Sequence, residues 1–243
     1  MAFSGGSPTP NGANVTDGAG DRRIGGEVGK DLAQAVLLGE LRRSIGAALG
    51  ERNCTPACTI CMNWRYKEDR ATQAAARFLK KRGGTMSYMK LLKLLYLADR
   101  LALLELGRPI TFDRFYSMKH GPVLSRTLEL MTEDPDPLAP SYWAEIISPP
   151  SNYEVRLKGE APHDQLSPAQ EDIIDRVYAQ YGHMHRFQIR DFTHTLPEWS
   201  DPNGSSIPIR PKDVLLAQGV SADDADEIVS ALEDESMLAA LIG

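Results

Sequence analysis

Cys54, Cys58 and Cys61 have the spacing that most readily suggests chemistry. Three thiols separated by three and then two residues match the ligand pattern of radical enzymes that hold a four-iron cluster. Such enzymes need repeated strand–helix units after the cysteines, and the residues that follow here read instead as helices and one hairpin. A zinc site needs a fourth ligand, and none stands nearby. The cysteines are therefore read as incidental, and no cofactor or metal is expected. Three thiols within eight positions are also no disulfide framework, which makes a reducing cytoplasm the expected compartment.

His183 and His185 flank Met184, and His194 follows nine residues after His185. Positions i and i+2 do not share a helix face, so only a loop or strand could aim both at one metal. No carboxylates complete such a site, and capping or surface roles are expected. Asp99 is the most awkward charge, because it falls on an apolar helix where a buried carboxylate needs a partner. A structural ion pair is the expectation. Gly83-Gly84 lacks the context of a phosphate-cradling loop, and no G-x-S-x-G elbow occurs. Arg77, Lys80, Lys81 and Arg82 could touch nucleic acid, but three of them stand where cations favour a helix C-terminus. No interleaved aromatics support base stacking.

These residues must be positioned by a mainly helical framework. A helix is predicted over about Glu68–Arg82, with Ala71, Ala74, Ala75, Phe78 and Leu79 inward and Gly83-Gly84 as its stop. Ser87 is expected to cap the next helix, which carries nine leucines from Leu91 to Leu106 and ends at Gly107. Its apolar character on nearly every side predicts a buried central helix. Phe115–Met118 reads as an extended piece, Gly121-Pro122 as a turn, and Pro122 as the start of a helix through Leu128 and Met131. Tyr142–Ser148 and Tyr153–Leu157 read as two strands of a hairpin. Ser167-Pro168-Ala169-Gln170 opens a capped helix to Tyr181. Helices are expected at about Phe187–Thr195, Val214–Ala217 and Asp223–Leu232, with a Pro-rich loop from Pro197 to Pro211.

Residues 1–30 are polar and Gly-rich and are expected to be flexible. Residues 31–50 hold one marginal amphipathic helix, and dense globular texture begins at Met62. Residues 1–61 thus read as a flexible extension, and Met62 is a candidate for the true start. No apolar run reaches the roughly 18 residues needed to span a bilayer. The net charge of −6 hides an asymmetry: residues 62–132 carry 14 basic and 6 acidic side chains, residues 133–243 carry 7 and 21. Either the basic half docks onto the acidic half within one fold, or it presents a face to a partner.

Three segments, taken in order, resemble the Panacea (SocA-like) antitoxin domain family. The first is Lys90-Leu91-Leu92-Lys93-Leu94-Leu95-Tyr96-Leu97-Ala98-Asp99. The second runs from Gly107-Arg108-Pro109-Ile110-Thr111 through Phe115, Met118, Lys119, His120, Gly121, Pro122 and Val123 to Leu128. The third is Thr193-His194-Thr195-Leu196-Pro197-Glu198-Trp199. The resemblance covers roughly residues 64–235. It implies a bacterial or phage antitoxin that neutralises a cognate toxin, usually by direct binding, with adaptor activity for the ClpXP protease known for the SocA member. It transfers no catalytic residue.

The expectation is therefore a mainly α-helical domain over 62–243, built around a buried Leu-rich helix with a small antiparallel β-hairpin and acidic C-terminal helices. It is expected to act as a non-enzymatic antitoxin. Tyr116, Lys119, His120, Gly121, Pro122 and Arg126 are the candidate partner-binding residues, although Gly121 and Pro122 also suit simple fold maintenance. A nucleic-acid-binding regulator using the basic 62–132 half is the alternative. An enzyme using Asp99, His120 or the cysteines is a third reading.

Overall fold

The computed structural model describes residues 64–133, 141–160 and 162–242. Cys54, Cys58 and Cys61, the amphipathic stretch 31–50 and the Met62 boundary lie outside them. Eight helices and five short strands form among the described residues.

Helix α1 (Glu68–Lys81) buries the alanine face, Phe78 and Leu79. Gly83 and Gly84 follow it with φ of +85° and +88°, the left-handed conformation that glycine adopts without steric cost. After strand β1 (Thr85–Ser87) comes helix α2 (Tyr88–Leu106), the 19-residue interior pillar. Most of its side chains are buried, Lys90, Lys93 and Asp99 included, and the left-handed Gly107 ends it. Strands β2 (Phe115–Met118) and β3 (Gly121–Leu124) follow, then helices α3 (Ser125–Thr132) and α4 (Tyr142–Ile146) and strand β4 (Glu154–Arg156). Helices α5 (Pro168–Tyr181) and α6 (Arg186–His194), strand β5 (Ile207–Ile209), and helices α7 (Pro211–Ala217) and α8 (Ala222–Ile242) complete the order. The pillar packs against α1, α5, α6, α7, β1 and β3. No helix among the described residues is long and apolar enough to cross a membrane.

Two small antiparallel sheets flank the pillar. One pairs β1 with β4, and the other has the order β3-β2-β5. The expected hairpin of Tyr142–Ser148 with Tyr153–Leu157 is therefore corrected. Ser141 Oγ accepts the Ala144 amide at 3.2 Å and starts a helical turn that buries Trp143. Only a bridge from Ile147 to Leu157 remains of that pairing, and β4 pairs with Thr85–Ser87 instead. The hairpin proper is β2–β3, in register Phe115↔Leu124 to Met118↔Gly121.

Three further local expectations change. Pro122 lies within edge strand β3, where its missing N–H is tolerated, and the helix starts at Ser125. The cap of α3 is remote in sequence: the Asp113 carboxylate accepts the Arg126 amide at 2.9 Å and the Thr127 amide at 2.8 Å. Ser87 precedes α2 without a side-chain capping bond. Ile207–Ile209 is a strand beside β2, with Pro208 opposite Tyr116 on the sheet's other edge. The capping box at Ser167–Gln170 forms as expected.

The charge asymmetry is used across the fold. Arg77 pairs with Glu171 and Asp175, Lys81 with Asp175, Arg100 with Glu198, and Arg108 with Glu235. Each pair joins the basic segment to the acidic one.

Candidate functional site: the β2–β3 turn and its clasp

Lys119 and His120 form the two-residue turn between β2 and β3. Lys119 is exposed and His120 half-buried, while Gly121 and Pro122 behind them are buried. Gly121 has φ +89°, and a Cβ there would stand 2.7 Å from Thr193 Oγ1 and 3.1 Å from both the His194 ring and Lys93 Nζ. Glycine is thus required twice, by backbone conformation and by close approach.

A clasp from the third sequence segment holds the hairpin. Trp199 Nε1 donates to the Met118 carbonyl at 3.2 Å, and the Ser200 amide donates to Ser117 Oγ at 3.2 Å. The His194 and Trp199 rings stack at 4.3 Å and 15°. Thr193 is fully buried, with its hydroxyl donating to the Arg190 carbonyl. Glu198 anchors the clasp to the pillar: its buried carboxylate accepts from Arg100 Nε at 2.6 Å and from the Tyr96 hydroxyl at 2.9 Å.

The pillar also reaches the turn directly. Lys93 is fully buried and donates from Nζ to the Pro122 carbonyl at 2.7 Å. Burial, with a smaller contribution from Arg190, pushes its ammonium down to about 7. Burial also lowers His120, helped by Lys93, Lys119, Arg190 and His194. His194 is lowered by burial and by Lys93 and Arg190, opposed by Asp191 and Asp201. The ground beneath the turn is therefore electropositive. A small recess opens beside it, lined by Tyr88, Met89, Leu92, Lys93, His120, Val123 and Leu128.

Asp99 supports the approach to the hairpin and corrects an expectation. Its partners are not cations: Oδ1 accepts the Ile110 amide at 2.9 Å and the Thr111 amide at 3.1 Å, and Oδ2 takes the Thr111 hydroxyl. Burial raises it to about 7 despite these bonds. Between Asp99 and Asp113 the chain passes through Phe112 at φ +54°, a costly conformation for a bulky residue, which the two carboxylates hold from both sides.

Of the candidate residues, Lys119, His120, Gly121 and Pro122 are contiguous at the turn. Tyr116 is half-buried in mid-strand between Val123 and Pro208. Arg126 lies beyond the far end of β3, in the first turn of α3, where it pairs with Glu129 at 2.8 Å. At about 3.3 Å per residue, a four-residue strand sets it apart from the turn by more than ~13 Å. His183 and His185 are exposed, and His185 stands at the α6 N-terminus with its ring 5.5 Å from that of Phe187. No group of three His, Cys, Asp or Glu among the described residues could hold a metal. Sequence reasoning did not connect Tyr88, Lys93 and Asp113 with this region. The one available signal was the presence of polar groups on a leucine-dense helix and just before the hairpin.

No curated protein and no solved structure matches the chain. The three segments that carried the sequence resemblance, far apart in the chain, meet here as pillar, hairpin and clasp. The family model described as antitoxin SocA-like, Panacea domain, matches residues 91–200, so this assembly is the part of the chain that is similar to an antitoxin domain.

Proposed function

We propose that this chain is an antitoxin that neutralises a cognate toxin in the bacterial cytoplasm by stoichiometric protein–protein contact, docking it on the surface around the Lys119–His120 turn. One observation carries the reading. The turn is fixed from below by three contacts from the pillar and the clasp: Lys93–Pro122, Trp199–Met118 and the close packing of Thr193 on Gly121. A short turn held this firmly presents its side chains in one geometry, which lowers the ordering cost of binding. Arg126 lies past the other end of the hairpin, in the first turn of α3, so a partner that spans the hairpin meets both it and Lys119.

Binding rather than turnover is favoured by how the buried carboxylates are used. Asp99 and Asp113 direct their oxygens at backbone amides and hydroxyls of the fold. Delivery of the toxin to ClpXP, which the family resemblance implies, would be a second activity of the same complex. It is measured by the toxin's half-life with and without this chain and the protease.

The test is the reading frame beside this gene. Its expression alone should stop growth, and co-expression of this chain should restore it. Substituting Lys119→Glu and Arg126→Glu together should abolish the rescue while the circular dichroism spectrum stays unchanged. Full rescue by the folded double variant would contradict the docking surface.

A further inference from the structure

Helix α6 turns a cluster of two arginines and one aromatic ring outward beside the hairpin turn. Phe187 is 43% exposed, the one aromatic among the exposed large hydrophobic residues described. The Arg186 guanidinium carbon stands 4.9 Å from the centre of its ring, and that of Arg190 stands 5.1 Å away. Arg186 also lies 5.4 Å from the centre of the Tyr153 ring. A guanidinium over an aromatic face is held by the ring's quadrupole, and its N–H donors, which lie in its own plane, stay open at the edge.

The two arginines differ in their anions. Arg190 pairs with its neighbour Asp191 at 2.6 Å. Arg186 has no carboxylate partner among the described residues and is held by rings, although residues 133–243 carry 21 acidic and only 7 basic side chains. Its lower ring is set at a cost. Ser151 and Glu154 exchange backbone hydrogen bonds at 2.9 Å around Asn152 and Tyr153, which are both left-handed at φ +50° and +64°. Glycine is the usual second residue of such a turn, so a tyrosine there is strained. The Tyr88 amide donates to the Tyr153 carbonyl at 3.0 Å and ties this turn to the pillar. Arg186 therefore stands on a ring fixed to the core, ordered before a partner arrives.

The surroundings set the partner's chemistry. Arg190 acts electrostatically on His120, and α6 packs against β3, so the cluster adjoins the Lys119–His120 turn. The complement of a cationic patch with an apolar centre is an anionic surface whose charges sit on apolar stems. Single-stranded nucleic acid fits less well, because it uses open aromatic faces for base stacking. The Phe187 ring is already occupied by both guanidiniums and by the His185 ring, 5.5 Å away.

We infer that Arg186, Phe187 and Arg190 are the part of the docking surface that recognises an acidic segment of the partner protein. The Arg186 fork takes a carboxylate through two N–H bonds, the carboxylate's methylene stem lies against the exposed edge of Phe187, and Arg190 supplies the second positive charge. The inference rests on the toxin-binding reading for the identity of the partner. The acidic preference belongs to this chain alone and is tested without the toxin.

The experiment is an NMR titration of the full chain, following the backbone amides and the arginine Nε–H signals. The probes are an octapeptide alternating glutamate and alanine, its glutamine counterpart, and an eight-nucleotide oligothymidylate, each taken to about 5 mM. The glutamate peptide should give saturable shifts centred on Arg186–Arg190 and the Lys119–His120 turn, and the glutamine peptide none. Arg186→Gln should weaken the glutamate peptide about tenfold, the scale of one charge-assisted bond. Arg186→Lys keeps the charge without the planar fork and should recover only part of that loss. Phe187→Ser should weaken it several-fold at unchanged charge. Unshifted amides elsewhere in the spectrum report that each variant is folded. Equal shifts from both peptides, no saturable shift, or full recovery by Arg186→Lys would overturn the inference. Shifts centred on the other exposed basic run, Lys80–Arg82, or an oligonucleotide bound as tightly as the glutamate peptide would also overturn it. Failure of the neighbouring reading frame to arrest growth would remove the toxin reading and leave the titration result standing.

Discussion

Lys93 Nζ and the Pro122 carbonyl oxygen stand 2.7 Å apart, joining the interior helix to the strand that leaves the hairpin turn. A buried lysine in such a place couples the core to the surface: a change in its charge or its partner is felt at the turn. From the chain's later clasp, the Thr193–His194 step packs against the same Gly121 that Lys93 approaches. The surface proposed for partner binding is thus a direct extension of the core.

Gly121→Ala tests this packing. The substituted Cβ meets Thr193 Oγ1 at 2.7 Å, and the backbone is at φ +89°. Left-handed strain and overpacking together should cost roughly 2–4 kcal/mol. Chemical denaturation should show a lower midpoint with an unchanged slope. A loss below about 0.5 kcal/mol would show that the clasp does not hold the turn.

Glu198→Ala tests the anchor between clasp and pillar. It leaves the Arg100 guanidinium, 18% exposed, beside a Tyr96 hydroxyl that has lost its acceptor. Breaking a buried pair from one side costs about 3–5 kcal/mol, and the partial exposure of Arg100 places the expected loss below that range, roughly 2–3 kcal/mol. Glu198→Gln keeps one acceptor and should lose less. The Trp199 fluorescence should report the loosened clasp in the alanine variant.

Two buried groups predict an unusual pH profile. Asp99 is raised to about 7, so the folded chain holds a proton that the unfolded chain releases above about 4. Its contribution to stability is full below that range and lost as pH rises through 7. Lys93 is lowered to about 7 from 10.5, so its contribution is full above 10.5 and lost as pH falls through 7. Their combined contribution is lowest near pH 7. Thermal melts between pH 4 and 10 should show Asp99→Asn flattening the acid limb and Lys93→Met flattening the alkaline limb. Identical profile shapes in both variants and the parent chain would contradict the assignment.

The main elements were readable where local signals and tertiary packing agree. The pillar shows itself through nine leucines and the terminal Gly107, and α5 through its Ser167–Gln170 capping box. The signals failed where the deciding partner is remote. Helix α3 starts at Ser125 because Asp113, twelve residues earlier, caps it, so Pro122 was a misleading start signal. Tyr142–Ser148 has the composition of a strand, but Ser141 caps a helical turn there and β4 finds its partner in Thr85–Ser87.

The site was legible as a turn and illegible as an assembly. Lys119–Pro122 has turn chemistry that any reading would notice. That Lys93 and Thr193 lie against Gly121 is long-range packing, which the sequence expresses only through the joint resemblance of three segments. Arg126 was grouped with the turn because it is near in sequence, and the extended strand between them carries it away.

The most direct measurement is the affinity of the purified neighbouring toxin for this chain by isothermal titration calorimetry, compared between the parent and Lys119→Glu. A one-to-one or otherwise integral stoichiometry is expected, with affinity reduced at least about tenfold by the charge reversal, the loss expected for one interfacial charge. An unchanged affinity in the folded variant, or no heat of binding with the parent chain, would contradict the account.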